Sequence, residues 1–199
     1  MKILLIGAGG TIGSAVDKEL SERHEIIRIG RNSGDFHVDI SDSASIRKLF
    51  EQIGKFDALV CAAGNVTFAP LGEMTGESFA LGLKDKLMGQ VNLLLIGREY
   101  ANDGASFTFT TGVLSHDPIR SGASAALVNG ALDSFVRAAA IELPRGLRVN
   151  SVSPNVLVEA MGKYAPYFRG YKPVLAADVA LAYAKSVEGL QTGQTFHVG

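Results

Sequence analysis

The 199 residues carry 19 Lys and Arg against 20 Asp and Glu, a formal net charge of -1, with 47% hydrophobic side chains and one cysteine. That length suits one well-buried domain, residues 1–199, and the interspersed charges argue against a nucleic-acid or anionic-membrane partner. Cys61, alone in an apolar run, leaves no disulfide framework and no metal-ligand set; with no signal peptide or span of about 18 apolar residues, the expectation is a soluble protein of the reducing cytosol.

Ile3-Leu4-Leu5-Ile6 is a short continuous apolar run, which predicts a strand; Ile12, Val16 and Leu20 follow at helical spacing, and Ile26 to Ile29 make a second strand. The order repeats with a strand from Phe36 to Ile40, a helix carrying Ile46, Leu49, Phe50 and Ile53, and a strand from Ala58 to Ala62. A helical region from Glu77 to Tyr100 leads to Ser106-Phe107-Thr108-Phe109-Thr110, whose β-branched and aromatic residues suit a strand. An alanine-rich helix over Ser124 to Glu142 stops before Pro144 and Gly146. Arg148 to Val152 is a strand, Asp178 opens a helix with Val179, Leu181 and Tyr183, and Gln194 to Val198 is the last strand. Apolar runs without alternation are strands covered on both faces. The pattern therefore predicts an α/β fold: one doubly wound (Rossmann) domain of about seven mainly parallel strands with helices on both faces.

Gly7, Gly10 and Gly13 sit where the first strand turns into the first helix, with Thr11 and Ile12 between the last two. Glycines there let a pyrophosphate approach the N–H groups of a helix N-terminus, although the same spacing also serves plain turns and close helix–strand packing. The second strand ends at Gly30-Arg31-Asn32-Ser33, where a protein favouring NAD carries an acidic residue for the ribose hydroxyl. A guanidinium with nearby hydroxyl and amide groups suits a 2′-phosphate, so NADP is expected ahead of NAD; the alternative is that Arg31 is a solvated loop charge. Asp39 is placed to accept from an adenine amino group or to cap the helix after Ser41.

With these features in place, the whole chain resembles the short-chain dehydrogenase/reductases. Cys61-Ala62-Ala63-Gly64 is similar to the family's Asn-Asn-Ala-Gly, Arg148-Val149-Asn150-Ser151-Val152-Ser153-Pro154-Asn155 to its Arg-Val-Asn-x-Val-x-Pro-Gly, and Asn129-Gly130-Ala131-Leu132 lies in a segment like its active-site helix. The resemblance implies cofactor contacts from Ala62, Ala63, Gly64, Asn129 and Pro154. It also locates the catalytic positions, and each departs from the family's pattern. The tyrosine and lysine of Tyr-x-x-x-Lys fall on Ala125 and Asn129, the serine on Thr111 (with Gly112 one residue on), and the asparagine of the preceding helix on Lys86.

In the family the tyrosine moves the proton and the lysine holds the ribose and lowers the tyrosine's pKa. Ala125 can do neither, Asn129 keeps hydrogen bonds without charge, and Thr111 can still polarise a carbonyl. Lys86 restores a positive charge near the one lost at Asn129; as a partly buried ammonium it could donate the proton or clamp the ribose, and as a helix-surface residue beside Lys84 and Asp85 it would do nothing. His116, in the loop after the fifth strand, is a second candidate acid or a solvated residue. Tyr164, Tyr167 and Tyr171 occupy the region of a substrate lid or pack on the sheet edge, and Asn155 and Glu159 replace the family's glycine and threonine near the nicotinamide.

The expected function is an NADP(H)-dependent oxidoreductase acting on a small carbonyl or activated double bond with a non-standard proton donor; the alternative is a catalytically silent NADP(H)-binding sensor or regulatory protein. Apolar residues on several faces of the long helices, among them Leu93, Leu94, Leu95, Phe135, Val136 and Ala139, predict a homodimer or homotetramer.

Overall fold

A computed structural model describes residues 1–199. Its seven strands are β1 (Lys2–Ile6), β2 (Glu25–Gly30), β3 (Phe36–His37), β4 (Phe56–Cys61), β5 (Ala101–Thr110), β6 (Arg148–Pro154) and β7 (Thr195–Val198). They form one sheet in the order β3-β2-β1-β4-β5-β6-β7, and every pairing is parallel. The helices are α1 (Thr11–Leu20), α2 (Ser43–Ile53), α3 (Gly76–Gly82), α4 (Met88–Gly97), α5 (Ala123–Ala140), α6 (Met161–Tyr164) and α7 (Ala176–Glu188).

Because side chains alternate across a strand, β1 feeds two cores at once. Leu4 and Ile6 join Leu59, Phe107 and Val149 under α2, α4 and α5, whereas Ile3 and Leu5 join Ala58, Val60 and Val152 under α1 and α7. Each large aliphatic or aromatic side chain so buried contributes roughly 1.5–3 kcal/mol, which explains why the strands are almost uninterrupted apolar runs. No helix is long and apolar enough to cross a membrane.

Three elements differ from the expectation. β3 has only two residues, because beyond it the Asp39 N–H is taken by the Ser45 hydroxyl at 3.0 Å and Val38 and Ile40 turn into the core. β5 starts at Ala101, and its pairing with β4 shifts register between Phe56 and Ala58. The helical stretch expected over Glu77 to Tyr100 is α3 and α4 joined by a π-helical turn, Leu83–Leu87. Such a turn holds one extra residue, and it carries Asp85 and Lys86.

Candidate functional site

The sheet order reverses between β1 and β4, and the carboxyl ends of these strands open the crevice in which such folds take ligands. The three loop glycines differ in what requires them. A Cβ on Gly13 would lie 2.0 Å from the Gly7 carbonyl oxygen, and one on Gly7 (φ +87°) would lie 2.7 Å from the Ala62 oxygen, so packing alone demands both. Gly10 has φ -82° and nothing closer than 3.4 Å, yet it caps α1 without any side-chain hydrogen bond. The first turn of α1, with exposed Thr11 and half-buried Ile12, is left open to an anion.

Beside this loop lies a hollow of about 180 Å³ whose lining includes Gly7, Gly30, Arg31, Ala63, Gly64 and Asp85. Asn32 and Ser33 are exposed on the turn after β2, and the Ser33 hydroxyl approaches Gly9. Arg31 is half exposed on the rim, with Nη2 3.2 Å from Asp39 and 3.5 Å from Asp85. Asp39 does not line the hollow. Its Oδ1 accepts from the Ser41 hydroxyl and backbone N–H, bonds that hold the carboxyl below its ordinary range. The helix-capping role also passes elsewhere, since Asp42 caps α2. Sequence reasoning missed Asp85. A carboxylate between two lysines reads as a solvated surface residue, but it is buried and accepts from the Asn65 N–H at 3.2 Å and amide at 2.9 Å.

A second cavity, about 300 Å³, adjoins the Ala62-Ala63-Gly64 turn and is lined by Ile12, Lys86, Thr111, Ala125, Asn129 and Pro154 among others. Lys86 is not a surface lysine. Its ammonium donates to Asn129 Oδ1 at 2.7 Å and to the Thr111 carbonyl at 3.2 Å, and burial pulls its pKa down to about 8. Asn129 Nδ2 in turn faces the Gly112 carbonyl at 3.5 Å, which fixes the amide with oxygen toward the lysine. Gly64 (φ +135°) makes room for the lysine stem: a Cβ there would meet Lys86 Cγ at 2.6 Å. The Thr111 hydroxyl turns away to the Val152 carbonyl at 3.4 Å, and Ala125 leaves a small side chain on the cavity wall. Gln90, also missed, is fully buried; its amide donates to the carbonyls of Lys86 and Thr110 and accepts from the Thr110 N–H, tying the π turn to the end of β5. Cys61 below is buried, its thiol pushed up to about 12.

His116 is elsewhere. It is exposed, stands edge-on to His197 with ring centroids 4.7 Å apart, and lines a separate polar hollow with Asp133 and Arg137. Of the three tyrosines, Tyr164 and Tyr167 line an outer cavity that shares Gly64, Val66 and Phe68 with the inner one, whereas the Tyr171 hydroxyl is held by the Asp117 carbonyl at 3.1 Å. Asn155 lines the inner cavity, and Glu159 is spent on structure, accepting from the Ala176 N–H at the start of α7.

A family model described as Enoyl-(Acyl carrier protein) reductase matches residues 11–197. Among curated proteins, the Short-chain dehydrogenase/reductase ATR9 of Stachybotrys chlorohalonatus is 28% identical, covering 80% of this chain and 74% of its own. The L-xylulose reductase of Bos taurus is 25% identical, covering 82% and 75%. Among solved structures, the protein lin1944 from Listeria innocua is 54% identical with a TM-score of 0.99 over 100% of both chains. A small-chain dehydrogenase in complex with NADPH is 27% identical with a TM-score of 0.88 over 100% of this chain and 96% of its own.

Proposed function

Because the chain belongs to the short-chain dehydrogenase/reductase family, we propose that it is an NADP(H)-dependent oxidoreductase that reduces a small carbonyl or activated double bond, with Lys86 as proton donor. The observation that carries this reading is the Lys86 ammonium held against Asn129 on the wall of the inner cavity. In the family's register the lysine and the asparagine have traded helices, so the pair is kept while its polarity is reversed.

The chain's own residues fit a dinucleotide. Gly10 leaves the first turn of α1 uncapped for a pyrophosphate, Arg31 stands at the rim of the neighbouring hollow for a 2′-phosphate, and the relative solved with NADPH supports that choice of cofactor. When bound, the cofactor supplies the hydride. Lys86 spends two N–H groups on Asn129 and Thr111 and keeps a third for the substrate. That third N–H passes its proton to the substrate's carbonyl oxygen, or to the α-carbon of an enone, and the neutral amine recovers a proton from water. Ala125 gives the substrate oxygen the space to reach the lysine. His116, outside both cavities, has no part in this step.

Titration with NADPH and NADH, read by nicotinamide fluorescence, is expected to favour NADPH, and Arg31→Ala to remove most of that preference, about tenfold in Kd. Lys86→Met should keep NADPH binding and lose turnover across a panel of ketones, imines and enones; undiminished turnover removes Lys86 as donor. One observation favours the sensor reading: the Thr111 hydroxyl faces Val152 and not the cavity. NADPH binding with no turnover by the wild type would decide for it, and failure to bind either nucleotide would end both readings.

A further inference from the structure

The outer cavity, about 960 Å³, is walled by aromatic and apolar groups: Phe68 and Pro70 from the segment after β4, Ile119 from the loop before α5, and Tyr164 and Tyr167 from the segment around α6. Phe68 and Tyr164 approach across it with ring centroids 6.0 Å apart. Two charged side chains line it, Arg120 and Lys163, and no acidic residue does. Neither cation belongs to any of the chain's seven ion pairs, although Asp and Glu outnumber Lys and Arg overall. Lys163 Nζ lies 5.2 Å over the Tyr164 ring, a cation–π contact that leaves its N–H groups free of any ion pair. Arg120 precedes Ser121, a non-glycine residue at φ +66°, a conformation that costs on the order of 1 kcal/mol and persists where its surroundings enforce it.

The outer cavity belongs to the substrate's side. It shares Gly64, Val66 and Phe68 with the Lys86 cavity, while neither Arg31 nor any residue of the Gly7–Gly13 loop lines it. Two cations outside every ion pair line this cavity from two different segments with no acidic residue beside them, so they raise the local concentration of anions, a guanidinium offering a fork and an ammonium a point charge to an oxyanion.

We infer that the substrate is an anion: an apolar or aromatic body with its reducible carbon at Lys86 and a carboxylate or phosphate at the other end, held by Arg120 and Lys163. This rests on the reductase reading for what happens at Lys86, but the anion site stands on its own residues and is tested without turnover. The probes are benzoate and phenyl phosphate against their neutral counterparts benzamide and phenol, followed by thermal shift and calorimetry on the protein with and without NADPH.

The expected result is stabilisation by at least one anion and not by its neutral counterpart, lost in Arg120→Gln/Lys163→Gln and weakened several-fold between 50 mM and 500 mM salt. The anion that binds distinguishes a carboxylate from a phosphate substrate. Equal responses to anion and neutral counterpart, or an unchanged response in the double variant, overturn the inference. Since the comparison of probes is made within the wild type, misfolding of the variant cannot hide the outcome. Anion binding in a protein that binds neither nucleotide keeps this site and rejects the reductase reading.

Discussion

A lysine ammonium brought among apolar walls loses hydration that two carbonyl oxygens only partly replace. Lys86 shows this in a pKa of about 8 against its ordinary 10.5. Between those values the unfolded chain binds a proton that the folded chain does not, so stability rises with pH across that window, and the deficit is fully present below pH 8. The deficit is on the order of 3 kcal/mol, and leaving the oxygens of Asn129 and Thr111 unpaired costs about 1–3 kcal/mol each, which offsets it. Lys86→Met is therefore expected to melt within a few degrees of the wild type at pH 7 and to lose the rise above pH 8, measured by calorimetry. With Lys86 as the proposed donor, the same ionisation is expected to set the rate. A proton donor of this pKa gives a turnover that is flat below pH 8 and falls about tenfold per unit above it, and a profile without that limb would assign the proton to another group. The sequence showed a lysine where the family has asparagine and left its burial open, because Lys84 and Asp85 just before it also fit a solvated face.

At the scale of the element, the order of strands and helices was legible because burial on both faces writes itself as uninterrupted apolar runs. What was not legible was how elements end and where they are interrupted. The π turn at Leu83–Leu87 has no signature of its own, since its residues fit an α-helix equally well, and it is what places Asp85 toward the Arg31 hollow and Lys86 toward Asn129. The glycine loop was visible as a motif but not as a division of labour. Gly13→Ala drives a Cβ into the Gly7 oxygen and is expected to cost about 4 kcal/mol or more, lowering the melting temperature by roughly 10 °C or preventing folding. Gly10→Ala has room for its methyl group and should melt within about 2 °C of the wild type. It should nevertheless bind NADPH about tenfold more weakly. Equal nucleotide affinity in Gly10→Ala would mean that the pyrophosphate lies elsewhere.

Across the whole molecule, the strand order brings together residues far apart in the chain: Gly7, Arg31, Lys86, Asn129 and Pro154 meet at the carboxyl end of one sheet. Assembly is less direct than the sequence implied. Leu93, Leu94 and Val136 are fully covered by the chain's own core, and Phe135 and Ala139 pack against it, since α4 lies beside α2 and α5 on one face of the sheet. Leu95 alone of the six stays exposed, but it is joined by Leu81 and Met88, each seven residues from the next, and by Leu127 on α5. Light scattering at micromolar concentration is expected to give a dimer or tetramer mass, with charged substitutions at Leu95 and Leu127 shifting it toward the monomer; a wild-type monomer would leave these residues without a partner.

Cys61, at the end of β4, has a further use. As the only thiol in the chain, buried and with its pKa raised, it offers no thiolate to a disulfide reagent while the fold is closed. Labelling of the wild type therefore counts openings of the central sheet. A single new cysteine at exposed Tyr167 could carry a fluorophore that reports on the outer cavity, with no native thiol to remove first.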